Sequence, residues 1–132
     1  MHTDGAARGN PGPAAVGVVI QDESGRVLYE TSRSLGIRTN NEAEYLAFLT
    51  ALEYLRESRP EGVEFNLDSE LVVRQLNGQY KVKEPRLQAL HGQAMMLLNL
   101  FPRHSIRHVR RAQNKRADEL ANEALDAEAE PS

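Results

Sequence analysis

The sequence contains no cysteine, which excludes disulfide bridges and thiolate metal sites. A metal ion bound by this chain must therefore take oxygen or imidazole ligands, which favour Mg²⁺ or Mn²⁺ over zinc. No long apolar run is present either, because the stretch from Ala94 to Phe101 is interrupted by Asn99 and is too short to span a bilayer. The polar N-terminal segment shows no signal peptide, so we expect a cytoplasmic protein without membrane association.

The chain also lacks internal repeats and linkers, and its 132 residues fit one domain with a single core. We expect that domain at residues 1–127, followed by a disordered tail at 128–132. A composition of 40% hydrophobic and 27% charged residues is typical of a soluble globular protein.

The net charge of −3 conceals two segments of opposite sign. The stretch from Arg103 to Arg116 carries Lys and Arg without any acid, whereas Lys and Arg are absent from Asp118 onward. This pattern fits a nucleic-acid-binding surface, and it fits a basic edge strand followed by an acidic helix equally well. Charge alone does not decide between them.

The hydrophobic pattern alternates between strand and helix periods after an initial hairpin. It predicts strands over 14–21, 26–33, 63–67 and 105–109, and helices over 40–58, 69–76, 85–98 and 114–127, with Asn114 as the N-cap of the last helix. The segment around Asp4 is expected to form a central strand of only three or four residues, either because the strand is truncated or because the natural start lies upstream. This order indicates an α/β fold, with helices packed on a mixed sheet.

Two acids stand where elements begin or end. Asp68 follows an apolar strand, where α/β sheets place ligands, although an Asp there also fits a helix N-cap. Asp4 lies in an apparent strand, where Asp is disfavoured, although it also fits the opening of the turn-rich segment that follows.

Two further acids lie on the apolar sides of predicted helices. Glu44 is in line with Phe48, Ala51 and Leu55, and a buried carboxylate there requires a partner or a metal ion. Asp118 lies beside the apolar stripe of the last helix. Both also fit ordinary first-turn acids that are stabilised by the helix dipole. These separate explanations do not account for all four acids together.

Four motifs occur in a fixed order along nearly the whole chain, and together they resemble type 1 ribonuclease H. They are TDGAARGNPG from Thr3, TNNEAEY from Thr39, LDSELVVRQLNG from Leu67 and NKRADELAN from Asn114. The resemblance implies a five-stranded mixed sheet of order 3-2-1-4-5 with helices on both faces. It further implies Mg²⁺, as two ions with substrate, or Mn²⁺, held by Asp4, Glu44, Asp68 and Asp118 as the catalytic acids, with Glu42 a bystander.

The implied activity is endonucleolytic hydrolysis of the RNA strand of RNA/DNA hybrids, which leaves 5′-phosphate and 3′-hydroxyl ends. Double-stranded RNA stays open as a further substrate, and we expect a monomer. By resemblance, substrate binding falls to residues in the first three motifs. Expected along the minor groove are Gly9, Asn10, Asn41 and Glu70, and expected at phosphates or the DNA strand are Thr39 and Asn40.

The chain departs from the familiar form in two places, and both departures resemble the compact branch of the family. Val82 to Leu90 runs directly into a helix, without the basic handle that many members insert. The loop from Val109 to Asn114 lacks the usual histidine, and Arg111 is the best match to its position, for product release or phosphate neutralisation.

Three other interpretations remain open. The first is a catalytically weak or inactive module of the same fold that binds hybrids. The second is another carboxylate nuclease, such as a proofreading exonuclease or a junction resolvase, and the third is a structural or regulatory domain. Cleavage of a labelled hybrid, with Asp68→Asn as the control, discriminates among them.

Overall fold

The computed structural model describes residues 1–129, in which three consecutive strands are followed by four helices and two further strands in mixed order. The strands are β1 (His2–Ala7), β2 (Gly12–Gln21), β3 (Val27–Arg38), β4 (Val63–Leu67) and β5 (His104–His108). The helices are α1 (Asn40–Ser58), α2 (Glu70–Leu76), α3 (Pro85–Leu98) and α4 (Lys115–Ala129), with a 3-10 turn at Arg111–Asn114. No helix in this part of the chain is both long enough and apolar enough to cross a membrane.

The strands form one sheet in the order β3-β2-β1-β4-β5, which confirms the predicted topology. β2 pairs antiparallel with β1 and β3, whereas β4 pairs parallel with β1 and β5. The expectation of a very short central strand was wrong. β1 continues past Asp4, pairing Gly5 with Val16 and Ala7 with Ala14, and reaches the usual length of a strand.

Helices cover both faces of the sheet. The larger core lies between the sheet and α1, α2 and α3, and contains Tyr45, Phe48 and Phe65 at full burial. On the opposite face, Val19 packs against Ala117 and Leu120 of α4. Side chains of this size contribute roughly 1.5–3 kcal/mol each when fully buried, so the main core anchors α1 firmly to the sheet.

Two helices approach the sheet so closely that only glycine fits beneath them. A Cβ placed on Gly5 of β1 would lie 2.1 Å from the backbone carbonyl of Ala43 in α1. A Cβ placed on Gly17 of β2 would lie 2.0 Å from the carbonyl oxygen of Ala117 in α4. The backbones of α1 and α4 are thus held against the centre of the sheet from both sides.

The helix bounds largely match the predicted ones. α1 and α3 have the expected limits, and α2 begins one residue later because Ser69 is its N-cap, accepting a hydrogen bond from the Val72 amide. α4 extends to Ala129, two residues past the expected domain boundary. The rest of the expected tail, 130–132, lies outside the described residues.

Candidate active site

Three carboxylates from distant parts of the chain meet at the centre of the sheet. Oxygen atoms of Asp4, Glu44 and Asp68 lie within 4.8 Å of one another. The parallel register of β1 and β4 pairs Thr3 with Leu67. The residues that follow these two, Asp4 and Asp68, therefore lie side by side. Close packing of α1 on Gly5 brings Glu44 over them.

Two of these acids are shielded from solvent. Asp4 is only 4% exposed and Glu44 only 6%. One oxygen of Glu44, Oε2, is buried without a hydrogen-bond partner among the described residues. An unpaired buried charge costs on the order of several kcal/mol. A bound proton or cation would remove this cost.

The pKa values of Asp4 and Glu44 are raised by this crowding of buried carboxyl groups. Burial and the charge of Asp68 raise the pKa of Asp4 to about 8. Burial raises the pKa of Glu44 well above its usual value, and the charges of Asp4 and Asp68 add to that effect. Without a cation, the pair therefore retains a proton near neutral pH, which a divalent ion would displace.

The donor set fits a hard divalent cation. Carboxylate oxygens are the ligands that Mg²⁺ and Mn²⁺ prefer, and the orphaned Glu44 oxygen points to a ligand at this position. The helical spacing of Glu44 relative to Phe48 and Ala51 predicted that Glu44 is a buried acid. The structure agrees, because all three residues are buried.

Asp118 lies on the rim of the same cleft, outside the three-carboxylate cluster. α4 presents it to the cleft, where it adds to the raised pKa of Asp4. Its Oδ1 accepts hydrogen bonds at 3.3 Å from Arg111 and from Asn122. The Arg111 side chain is 77% exposed, so its guanidinium stands at the mouth of the cleft.

The cleft has a volume of about 490 Å³ and also contains two of the residues that were predicted to bind substrate, Asn40 and Asn41. The backbone amide of Asn40 donates to Asn10 Oδ1, and its side-chain oxygen accepts from the Ala7 amide. The loop with Gly9 and Asn10 is thereby tied to the start of α1.

Thr39 and Glu70 make contacts within their own helices. The Thr39 hydroxyl caps α1 by accepting a hydrogen bond from the Glu42 amide. The Glu70 carboxylate accepts from Arg74 Nε at 2.9 Å and does not line the cleft. Ser69, which was not predicted as a site residue, does line the cleft.

Glu42, which is expected to be a bystander to metal binding, has a structural role at the start of α1. It is buried, and its carboxylate accepts a hydrogen bond from the Thr39 amide, which completes a capping box at the start of α1. Arg38 and Arg86 lie 3.8 and 3.9 Å from its two oxygens. The Thr-x-x-Glu spacing is a recognisable sequence signature of this cap, so the sequence did carry the signal.

The predicted N-cap role of Asn114 was wrong. The chain passes from the 3-10 turn directly into α4, and the Asn114 side chain is buried under the site instead. Its Nδ2 donates to the Thr3 carbonyl at 2.8 Å and lies 3.5 Å from Asp68 Oδ2, while Oδ1 lies 2.9 Å from Nδ1 of His2, which donates. One amide thus joins β1, the end of β4 and the start of α4.

Replacing Asn114 should weaken both stability and chemistry. Asn114→Ala leaves the Thr3 carbonyl and the Asp68 carboxylate without their donor, so we expect a loss of roughly 1–3 kcal/mol in the free energy of unfolding. Losing a group that orients a metal ligand typically costs about 10- to 100-fold in metal affinity or activity. Chemical denaturation and Mg²⁺ titration of the activity measure the two effects.

Asn77→Ala is the matched control, because it removes a 3.0 Å hydrogen bond that the side-chain amide of an exposed residue away from the cleft donates to the Ile106 carbonyl. We expect it to change stability slightly and to leave the Mg²⁺ requirement unaltered. An equal Mg²⁺ requirement in Asn114→Ala and the parent protein would contradict the positioning role of Asn114.

Three of the six Lys and Arg side chains of the basic segment form ion pairs. β5 is an edge strand, as one of the two interpretations of the charge pattern required. Arg107 contacts Glu64 at 3.1 Å, and Arg116 contacts Glu30 at 2.7 Å. Arg111, already described at the cleft, is the residue of this segment that faces the acids.

Comparison with known proteins agrees with this geometry. Residues 2–124 match the family model described as reverse transcriptase-like. The chain is 47% identical over 125 residues to ribonuclease HI of Halobacterium salinarum, covering 95% of this chain and 63% of that protein. It is 33% identical to ribonuclease H of Rhodopseudomonas palustris, covering 95% of this chain and 87% of the relative.

Among solved structures, LC11-RNase H1 in complex with an RNA/DNA hybrid superposes with a TM-score of 0.93 at 46% identity, covering 98% of this chain and 97% of that one. The crystal structure of RNase H1 from Halobacterium salinarum superposes with a TM-score of 0.91, covering 96% of each chain. The chain thus spans somewhat less than two thirds of the full-length halobacterial relative, but nearly all of its solved structure.

Proposed function

Because the chain belongs to the ribonuclease H family, we propose that it hydrolyses the RNA strand of RNA/DNA hybrids at internal positions, leaving 5′-phosphate and 3′-hydroxyl ends. The observation that carries this proposal is the meeting of Asp4, Glu44 and Asp68 in one cleft, with Asp118 on its rim. A close structural relative was solved with an RNA/DNA hybrid, which supports the substrate class.

The four acids would hold divalent ions, with Mg²⁺ the expected species and Mn²⁺ a substitute. Bound in pairs, such ions lower the pKa of an attacking water and offset the charge that develops at phosphorus. The chain's own contribution is a set of oxygen ligands from four elements, with Asp118 supplied by α4. Asp4 and Asp68 extend from paired strands, and Glu44 is fixed by α1.

Recognition would depend on backbone shape rather than sequence, with the 2′-hydroxyl identifying the RNA strand. Asn40 and Asn41 in the cleft, with Asn10 beside them, offer amides that both donate and accept hydrogen bonds. Glu70, where familiar members have Gln, could only accept while ionised. The exposed Arg111 guanidinium would face a phosphate at the cleft mouth.

The deciding experiment follows a hybrid labelled on the RNA strand in buffered Mg²⁺, with double-stranded RNA run alongside. We expect internal cuts in the RNA, and no cuts with Asp68→Asn under the same conditions. Binding without cutting in Mg²⁺ or Mn²⁺ would instead identify a hybrid-binding module. Stepwise shortening from a 3′ end would identify an exonuclease.

A further inference from the structure

A second cavity lies at the far end of α1 from the acids. We call it the basal groove, the space of about 720 Å³ between the end of β2 at Ile20, the last turns of α1 from Tyr54, and the segment from Pro60 into β4. The start of α1 lines the active-site cleft and its end lines the groove. Sixteen residues of helix separate Asn41 from Glu57, or about 24 Å at the usual rise of an α-helix.

The groove has an apolar floor and a half-exposed apolar rim. Ile20 and Leu55 form the buried part, while Leu28 is 55% exposed and Tyr54 43% exposed. The Tyr54 ring is not loose, because it stacks on Tyr29 with centroids 3.9 Å apart and an angle of 12° between the planes. Rigid apolar side chains that converge on a concave surface provide a seat for an aliphatic side chain.

The rim of the groove is acidic. No Lys, Arg or His side chain in the described chain lines it, and its cationic group is the Met1 ammonium, which donates to the Glu64 carbonyl at 2.7 Å. Five carboxylates line it. These are Asp22, Glu23, Glu57, Glu61 and Glu64. Glu64 is paired with Arg107, and Asp22 accepts hydrogen bonds within its own turn. The remaining three have no ion pair within the described residues.

Fold stability does not account for this accumulation. Glu57 lies in the last turn of α1, where the negative end of the helix dipole disfavours an acid. Like charges gathered around one concavity also repel each other, and burial of apolar surface does not require them. An external cation would relieve both effects.

Nucleic acid does not fit this groove, because the phosphates of a duplex would meet the five carboxylates that line it. We propose that the basal groove binds a short cationic segment of a partner protein, which places one or two aliphatic side chains between Leu28 and Tyr54 and its Lys or Arg residues against Glu57 and Glu61. The volume of the groove suits a few side chains rather than a folded domain.

The test is fluorescence anisotropy of the full chain with labelled synthetic peptides, in buffered Mg²⁺ at moderate salt. The main probe is a peptide of about ten residues, mostly lysine with two leucines, the length of a typical short recognition segment. A lysine–glycine peptide of equal charge and a glutamate–leucine peptide are the comparison probes. We expect binding only of the lysine–leucine peptide, with affinity that falls as salt rises.

The variants then locate the binding. Glu57→Gln combined with Glu61→Gln should weaken the lysine–leucine peptide about fivefold or more, since two exposed charge pairs are lost. Tyr54→Ser should weaken it by removing the apolar seat. Glu84→Gln combined with Glu128→Gln, which changes the charge equally outside the groove, should have no effect. Hybrid cleavage should stay unchanged in all of them.

Either of two results would overturn the proposal. One is equal affinity of the parent protein and the groove variants for the lysine–leucine peptide. The other is loss of peptide binding in Asp68→Asn, which would place the peptide in the catalytic cleft. Retained circular dichroism melting curves verify that the groove variants are folded.

Discussion

Asp4→Asn is expected to lower the rate of hybrid cleavage at least about a thousandfold. The same substitution is expected to make the metal-free protein more stable. The loss of activity follows because Asp4 is the buried acid between Glu44 and Asp68, and an amide is a poor ligand for Mg²⁺. The gain in stability follows because folding buries this carboxyl among other acids. Opposite effects on activity and stability are the signature of a site that is strained for function.

The pH dependence of this gain has a definite sign. The pKa of Asp4 rises from 3.8 to about 8 on folding, so the folded chain binds a proton that the unfolded chain has already released in this range. The free energy of unfolding of the metal-free protein should therefore fall as pH rises between these two values. Asp4→Asn lacks this pH-dependent loss of stability. Its free energy of unfolding should therefore exceed that of the parent protein by an amount that grows toward pH 8, to roughly 2 kcal/mol or more.

Chemical denaturation from pH 5 to pH 8, with and without Mg²⁺, measures both curves. Saturating Mg²⁺ should stabilise the parent protein more than Asp4→Asn, because the ion replaces the retained proton. Asp126→Asn is the matched control, since Asp126 is an exposed acid on α4 that pairs with Arg8. Parallel curves for the parent and Asp4→Asn across the whole pH range would refute the strained-carboxylate interpretation.

Gly5→Ala is expected to destabilise the fold by about 3 kcal/mol or more, a large fraction of the stability of a domain of this size. The added methyl would lie 2.1 Å from the carbonyl of Ala43 and 2.3 Å from the Glu44 amide, and neither backbone group can rotate away. α1 would have to move off the sheet, and Glu44 would move with it. Activity should therefore fall even where the protein remains folded.

Thermal unfolding and cleavage kinetics at a temperature well below the transition separate the two effects. The melting temperature should drop by roughly 10 °C or more. Gly92→Ala is the control, because a Cβ there meets nothing within 4 Å on an exposed part of α3. It should stabilise the protein by about 0.5–1 kcal/mol through helix propensity. A Gly5→Ala variant as stable as the parent would show that α1 has room to shift.

Much of the architecture was predictable because local patterns and global fold agree. The periods of the apolar residues located every helix and strand to within a few residues, apart from the extensions of β1 and β3, and the ordered motifs identified the sheet order. The convergence of Asp4, Glu44 and Asp68 followed from the same motifs. Glu44 was accessible even without them, because a charged residue on an apolar helix face demands an explanation.

The errors have physical causes. An Asn before a helix is usually a cap, but at Asn114 the buried contacts with Thr3 and His2 outweigh that local preference. The capping role of Glu42 was not predicted, although it was visible in the spacing from Thr39. The basal groove has no sequence signal, since its walls come from three segments that only the fold brings together.

The four acids come from β1, the residue after β4, α1 and α4, and the two outermost strands, β3 and β5, contribute none of them. The reaction centre is therefore separate in space from both edges of the sheet. Insertions or deletions confined to either edge are expected to leave the catalytic acids in place.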